Sequence, residues 1–270
     1  MENTELKKYF ERIHFTGNAE ADLETLNSIL ELHPQYISFE NIDSYTNLVP
    51  QVDIENVFQK LVVENRGGYC YEQNVLLKNV LETIGFQVTV HLGRVFWRRE
   101  RKDKAARTHM LLVVTLNGEK YLADSGFGTV TLTAPLVLHS KDEQTTPNEK
   151  FQITQNGTHY ILSLIAEEKM PIYGFTLEEA EQSDVEVANW FIATHPSSTF
   201  KGNLIITKVD RTARYTIHNK SLNIRYNNGF KENIDISNDS ELFTLLENAF
   251  NIRVESIKDK ELLIRKFNRN

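Results

Sequence analysis

The chain contains a single cysteine, Cys70, and its surroundings suit a nucleophile. It follows Arg66-Gly67-Gly68-Tyr69, and the spacing of Val75, Leu76, Val80 and Ile84 predicts a helix that opens at Cys70 and meets Gly85, a C-cap residue. Two glycines free the backbone to turn sharply just before the thiol. A thiol in a first helical turn feels the positive end of the helix dipole and the unpaired N–H groups there, which favour the nucleophilic thiolate. A lone cysteine also serves elsewhere as a small buried hydrophobe, so its partners must decide between the two uses.

Partners come from the segment His109 to Asp124. Asn117-Gly118, between two β-rich runs, predicts a two-residue hairpin turn, because both turn positions need positive φ. Leu116 then faces Glu119, and counting back along both strands sets Asp124 opposite Leu111. Side chains alternate, so His109 and Leu111 share a face and Asp124 becomes the diagonal neighbour of His109. Diagonal partners lie ~7–8 Å apart at the backbone, within reach of a carboxylate-to-imidazole hydrogen bond. A bulge in this pair would break the parity. Such a carboxylate fixes the tautomer of the ring and stabilises the imidazolium, leaving the other nitrogen for the thiol. Taken alone, His109 reads as a capped or core histidine and Asp124 as a turn residue before Gly126. Together with Cys70 they make a Cys70–His109–Asp124 triad able to move an acyl group. Spacing does not set the approach of Cys70 to the hairpin.

The elements that must position these residues change character along the chain. Helical spacing runs through Leu6, Tyr9, Phe10 and Ile13, then Leu23 to Leu30 with Pro34 closing that helix, then Ile54 to Val62 behind an Asp53 N-cap. From Phe86 onward, Phe86, Val88, Val90 and Leu92 alternate with polar residues as in a strand, and Asn156-Gly157 predicts the turn of a second hairpin. His139 to Lys150 reads as a loop and Ser183 to Ala193 as a short helix. Strands follow near Leu204 to Val209, Tyr215 to His218 and Leu222 to Tyr226, then an amphipathic helix with Leu242, Leu245, Leu246 and Phe250. The expected fold class is α+β. It divides into a helical unit at 1–85 carrying the nucleophile, a β-rich unit at 86–183 carrying the histidine and aspartate, and a smaller α/β unit at 184–270.

Composition narrows the function classes. With 270 residues, 40% hydrophobic and 25% charged, the chain falls among ordinary soluble proteins able to bury a core. Its net charge of -7 would repel a polyanion, and the basic residues are scattered apart from one run, so nucleic acid is not an expected partner. That run, Arg94 to Arg107 with Arg98, Arg99, Arg101, Lys102 and Lys104, is interrupted by Glu100 and Asp103 and reads as a solvated loop. No window approaches the ~20 apolar residues of a membrane span, and the charged MENTELKKYFERI start is unlike a signal peptide. The expectation is a cytoplasmic protein without a membrane partner. One cysteine excludes an internal disulfide. The eight histidines include no i, i+4 pair with a third ligand nearby, so no metal is expected. Neither a Walker loop nor a dinucleotide fingerprint is present.

The run Arg66-Gly67-Gly68-Tyr69-Cys70-Tyr71-Glu72-Gln73-Asn74 resembles the nucleophile motif of the arylamine N-acetyltransferases. Arg107-Thr108-His109-Met110 is similar to that family's histidine strand. Asp124-Ser125-Gly126-Phe127-Gly128 with Leu132-Thr133-Ala134-Pro135-Leu136 resembles its aspartate and following loop. Ser38 to Asp43 and Asn189-Trp190-Phe191 with His195-Pro196-Ser197-Ser198 and Phe200 complete the match, in order, over most of a chain of bacterial-member length. Ser125 and Gln73 stand where valine and leucine are usual.

This resemblance implies a cysteine-protease-like catalytic core, a barrel-like middle and a C-terminal α/β lid. It implies a ping-pong reaction in which Cys70 takes acetyl from the co-substrate acetyl-CoA, coenzyme A leaves, and an aromatic amine, hydrazine or arylhydroxylamine collects the acetyl group. Both steps pass through an oxyanion, for which the backbone N–H of Tyr71 is the candidate donor. The resemblance further implies that Phe39, Phe127 and Phe200 line the acceptor pocket and that the loop of Gly126, Gly128 and Thr129 lies near CoA. Each phenylalanine, taken singly, also reads as core. Two other classes fit the same triad: a cysteine hydrolase that passes its acyl group to water, and a silent binding homologue.

Overall fold

The computed structural model describes residues 1–98 and 105–269, so Arg99, Arg101, Lys102 and Lys104 of the basic run lie outside the described residues. The helical spacing of the first third becomes α1 (Asn3–Arg12), α2 (Leu23–Tyr36), a two-residue strand β1 (Phe39–Glu40), α3 (Ile42–Tyr45), α4 (Ile54–Phe58) and α5 (Cys70–Ile84). Asp53 caps α4 by accepting the Asn56 N–H at 3.0 Å, and Gly85 ends α5 with a φ of 114°. Pro34 does not close α2, which continues to Tyr36. Burial of Leu30, His33 and Pro34 carries the helix past a residue of poor propensity. The expected helix to Val62 also changes form, because Gln59–Val63 widens into a π turn closed by Glu64 N–H on the Gln59 carbonyl at 2.9 Å.

The middle of the chain forms β2 (Gln87–Val95), β3 (Arg107–Leu116), β4 (Glu119–Ala123), β5 (Leu136–Val137), β6 (Gln144–Thr145), β7 (Lys150–Asn156), β8 (His159–Ile165) and β9 (Lys169–Phe175). They make one antiparallel, barrel-like sheet in the order β5-β4-β3-β2-β9-β8-β7-β6. The β3–β4 turn is Asn117-Gly118, at φ 51° and 81°, and the ladder runs from Leu116 opposite Glu119 to Leu112 opposite Ala123, as the spacing predicts. The bulge lies on the other edge of β3, where Gly93 faces His109 but Arg94 faces Arg107, so the parity of the hairpin survives. The second hairpin forms one residue later than predicted. Asn156 pairs with His159, and the turn is Gly157-Thr158, with Gly157 alone at positive φ (59°) in the first turn position.

The last third contains α6 (Gln182–Thr194), α7 (Thr199–Gly202), β10 (Ile205–Val209), β11 (Ala213–His218), β12 (Ser221–Tyr226), β13 (Lys231–Asp235), α8 (Asp239–Asn248) and α9 (Lys260–Arg269). Its sheet has the order β1-β10-β11-β12-β13, so Phe39–Glu40 of the helical third supplies an edge strand. Strand β3 is buried on both faces. Met110, Leu112 and Val114 pack on the helical core, whereas Leu111 and Val113 join Leu122, Phe151 and Leu162 inside the barrel-like sheet. The cores interlock, since Val185 and Ala188 of α6 pack into the helical core and Ile42 and Tyr45 into that of the last third. The α+β class is as expected, and Cys70 and His109 arrive at a seam between helices and sheet.

Candidate active site

The turn before Cys70 is held by buried charge. Arg66, 1% exposed, donates to Glu40 at 2.6 and 2.9 Å and to Asp43 at 3.0 Å. Lys60, brought inward by the π turn, bonds Asp43 and Glu72 at 2.7 Å each. The other oxygen of Glu72 accepts the Tyr69 N–H at 3.0 Å and so caps the helix that begins at Cys70. Removing any member strands a buried charge, a change that costs about 3–5 kcal/mol in comparable sites. The two glycines act by closeness rather than by unusual dihedral angles, for neither has positive φ. A Cβ on Gly67 would stand 2.1 Å from the Ser38 carbonyl oxygen.

Cys70, His109 and Asp124 are 4%, 3% and 0% exposed, so the site is screened from bulk water. His109 Nε2 and Asp124 Oδ2 are 2.7 Å apart. A carboxylate oxygen accepts, so Nε2 carries the proton and Nδ1 is left for Cys70, which lines the same cavity as His109. Asp124 lies one residue beyond β4, and its second oxygen accepts from Asn74 at 2.9 Å and from the Gly126 N–H at 2.9 Å. Burial opposes charge on His109, but Asp124 first and Cys70 second reverse that penalty and hold its pKa up at about 10. Burial likewise opposes charge on Asp124, and His109, Asn74 and Gly126 outweigh it to hold the carboxyl below its usual range. Both shifts favour the ion pair, an imidazolium against a carboxylate.

This pairing sets a pH dependence of stability. A histidine whose pKa rises from 6.5 to about 10 on folding contributes its full stabilisation below pH 6.5 and loses it as pH climbs through 10. Asp124, lowered from 3.8, contributes above 3.8 and loses its share as pH falls through its still lower folded value. The difference in unfolding temperature between wild type and His109→Gln is expected to be widest below pH 6.5 and to shrink toward pH 10. A constant difference across that window would show that the ring is not held charged.

Cys70 and His109 open on a cavity of about 450 Å³. Phe39, Phe127 and Phe200, together with Gly126 and Thr129, line it, and Gly128 packs against Phe39, where a Cβ would lie 3.2 Å from the ring. The Phe127 ring stands edge-on to His109 at 5.1 Å. Tyr71 follows the thiol in the first turn of α5, where N–H groups have no helical acceptor, and its phenol donates to the Thr108 carbonyl at 2.9 Å. A Cβ on Gly126 would stand 2.7 Å from Asn74 Nδ2 and 2.8 Å from Cys70 Cα. Because backbone cannot yield as a side chain can, Gly126→Ala is expected to cost ~1–3 kcal/mol and to lower turnover. An unchanged unfolding temperature would argue against this contact.

Some of the surroundings escaped the sequence reading. Tyr173, on β9, sits 4.8 Å from His109 between ring centroids, and burial followed by the charge of Asp124 keeps its phenol protonated. It reaches the site through the β2–β9 pairing, which no local spacing announces. Trp97, Val95 and Phe191 also line the cavity. Asn74 was visible only as part of a motif, although its two side-chain ends join Asp124, Met110 and Ser125.

A thiol at a helix start, an imidazole and a buried carboxylate beside an apolar cavity define the class: acyl chemistry through a cysteine nucleophile. The chain belongs to the N-acetyltransferase family, whose model matches residues 22–259. It is 35% identical to the arylamine N-acetyltransferase of Mycolicibacterium smegmatis over 97% of this chain and 96% of that one. To the arylamine N-acetyltransferase of Escherichia coli it is 34% identical, over 94% and 90% of the two chains. The structure of Mycobacterium marinum arylamine N-acetyltransferase in complex with CoA superposes with a TM-score of 0.93 at 32% identity, covering 98% of each chain. Among the described residues no cluster suits a metal ion and no helix is long and apolar enough to cross a membrane.

Proposed function

We propose that this protein transfers acetyl from acetyl-CoA to the nitrogen of aromatic amines and hydrazines, or to the oxygen of arylhydroxylamines, through an acetyl-Cys70 intermediate. The observation that carries the reading is the His109–Asp124 pair set against Cys70 at the mouth of a phenylalanine-lined cavity. Cys70 sulfur attacks the thioester carbonyl of acetyl-CoA, the carbon–sulfur bond to CoA breaks, and the His109 imidazolium gives its proton to the departing thiolate. The amine nitrogen then attacks acetyl-Cys70, His109 takes a proton from it, and the Cys70–His109 pair is restored. The first exchange, thioester for thioester, is nearly balanced; the second yields the more stable amide. Cys70 acts as nucleophile, His109 as the proton carrier and Asp124 as its orienting anion, with the Tyr71 N–H donating to the oxyanion.

In the same reading Phe39, Phe127 and Phe200 grip the acceptor ring, and Gly126, Gly128 and Thr129 lie along CoA. The division at 1–85, 86–183 and 184–270 and a cytoplasmic location belong to it as well. Incubation with acetyl-CoA and an aromatic hydrazine, following CoA release, tests it. Release that depends on the hydrazine is the expected result. Release without it would mark a hydrolase, and none at all a silent homologue.

A further inference from the structure

Three buried polar side chains form a line that ends on the nucleophile helix. Tyr9 of α1 lies 2.8 Å from His33 Nδ1, and His33 Nε2 lies 2.6 Å from Gln73 Oε1, on the helix that begins at Cys70. Tyr9, His33 and Gln73 are each 0% exposed. The amide nitrogen of Gln73 faces only carbonyls, those of Ser38 at 2.8 Å, Gly68 at 3.1 Å and Ile37 at 3.4 Å. Carbonyls accept, so this end must be the NH2 and the other the oxygen. The His33 ring must then donate through Nε2–H and accept through Nδ1, and the Tyr9 hydroxyl must donate to it. Every proton in the line points the same way. Burial first, against a smaller opposing effect of Gln73, lowers the His33 pKa to about 4, consistent with a neutral ring.

The line ends where two parts of the site meet. Gly68 N–H donates to the Ser38 carbonyl at 3.3 Å, and Glu40 N–H donates to the Gly68 carbonyl at 3.1 Å, joining the turn before Cys70 to the strand that carries Phe39. Gln73 adds a donor to both carbonyls of that bridge. We propose that Tyr9, His33 and Gln73 form a one-directional hydrogen-bond relay that positions the Cys70 turn and the Phe39 wall relative to each other, with Gln73 the positioning residue. This rests on the proposed function for its meaning in catalysis, but the relay itself can be read without acetyl transfer. Small displacements matter here, because a shift of ~1 Å at a reacting group can cost ~10²-fold in rate.

The test compares Gln73→Leu, His33→Leu and His33→Gln with wild type. An amide at position 33 can still accept from Tyr9 and donate to Gln73, whereas leucine can do neither. The relay predicts that Gln73→Leu and His33→Leu lower kcat about tenfold or more, change the KM for acetyl-CoA by less than about twofold, and slow alkylation of Cys70 by iodoacetamide in parallel. His33→Gln should recover most of both rates. Nitrogen NMR of the wild type should show His33 as the Nε2–H tautomer. An Nδ1–H tautomer, or His33→Gln as impaired as His33→Leu in a folded protein, would overturn the relay. So would Gln73→Leu with unchanged kcat and alkylation rate. If wild type alkylates normally and shows the tautomer but transfers no acetyl, the proposed function fails and the relay stands.

Discussion

Asp124→Asn is expected to lower turnover by ~10²-fold or more in a protein that still folds cooperatively, the size usual for loss of an orienting and acid–base partner. The reason is the set of donors around the carboxylate. His109 Nε2–H donates to one oxygen, and Asn74 Nδ2–H and Gly126 N–H to the other. An asparagine has one oxygen for these three donors. Keeping the two neighbours satisfied turns its NH2 toward His109, which forces the ring to accept at Nε2 and carry its proton on Nδ1, toward the thiol. The ring can then no longer remove a proton from sulfur, as with the aspartate-to-asparagine change in serine proteases. The opposite amide orientation would leave Asn74 and Gly126 facing an NH2, and stability would fall. Near-normal turnover in a folded Asp124→Asn would mean that the third member of the triad had been misread.

Cys70→Ala should abolish hydrazine-dependent CoA release altogether. The sulfur is the atom on which the acetyl group is proposed to rest, and alanine offers none. Its removal leaves a gap of one atom beside an existing cavity, and Gly126 packs on the backbone at Cys70 rather than on sulfur, so folding should change little. Residual acceptor-dependent release well above the uncatalysed rate, in a folded variant, would point to direct transfer between bound substrates without a covalent intermediate.

The legible part of the site was the part written in local spacing. Asn117-Gly118 set the register that brings Asp124 to His109, because both turn residues demand positive φ and the side chains of a strand alternate. Asn156-Gly157 misled by one residue, since Gly157 can begin a turn alone and Asn156 keeps its place opposite His159. Pro34 misled as a stop signal because burial of Leu30, His33 and Pro34 outweighs the propensity of one residue. Tyr173 and the approach of Cys70 to His109 depend on how sheet and helices close together, and this is a property of the whole chain. The Arg66-Gly67-Gly68 motif needs glycine for close approach rather than for dihedral freedom. Its first glycine answers to the Ser38 carbonyl, a contact made across the fold.

Intact mass after brief exposure to acetyl-CoA, with no acceptor present, reports on acetyl-Cys70 itself. The protein should gain one acetyl group, located to Cys70 by peptide mapping and discharged on adding an aromatic hydrazine. Persistence of the adduct in Cys70→Ala, or its location on any other residue, would contradict the account.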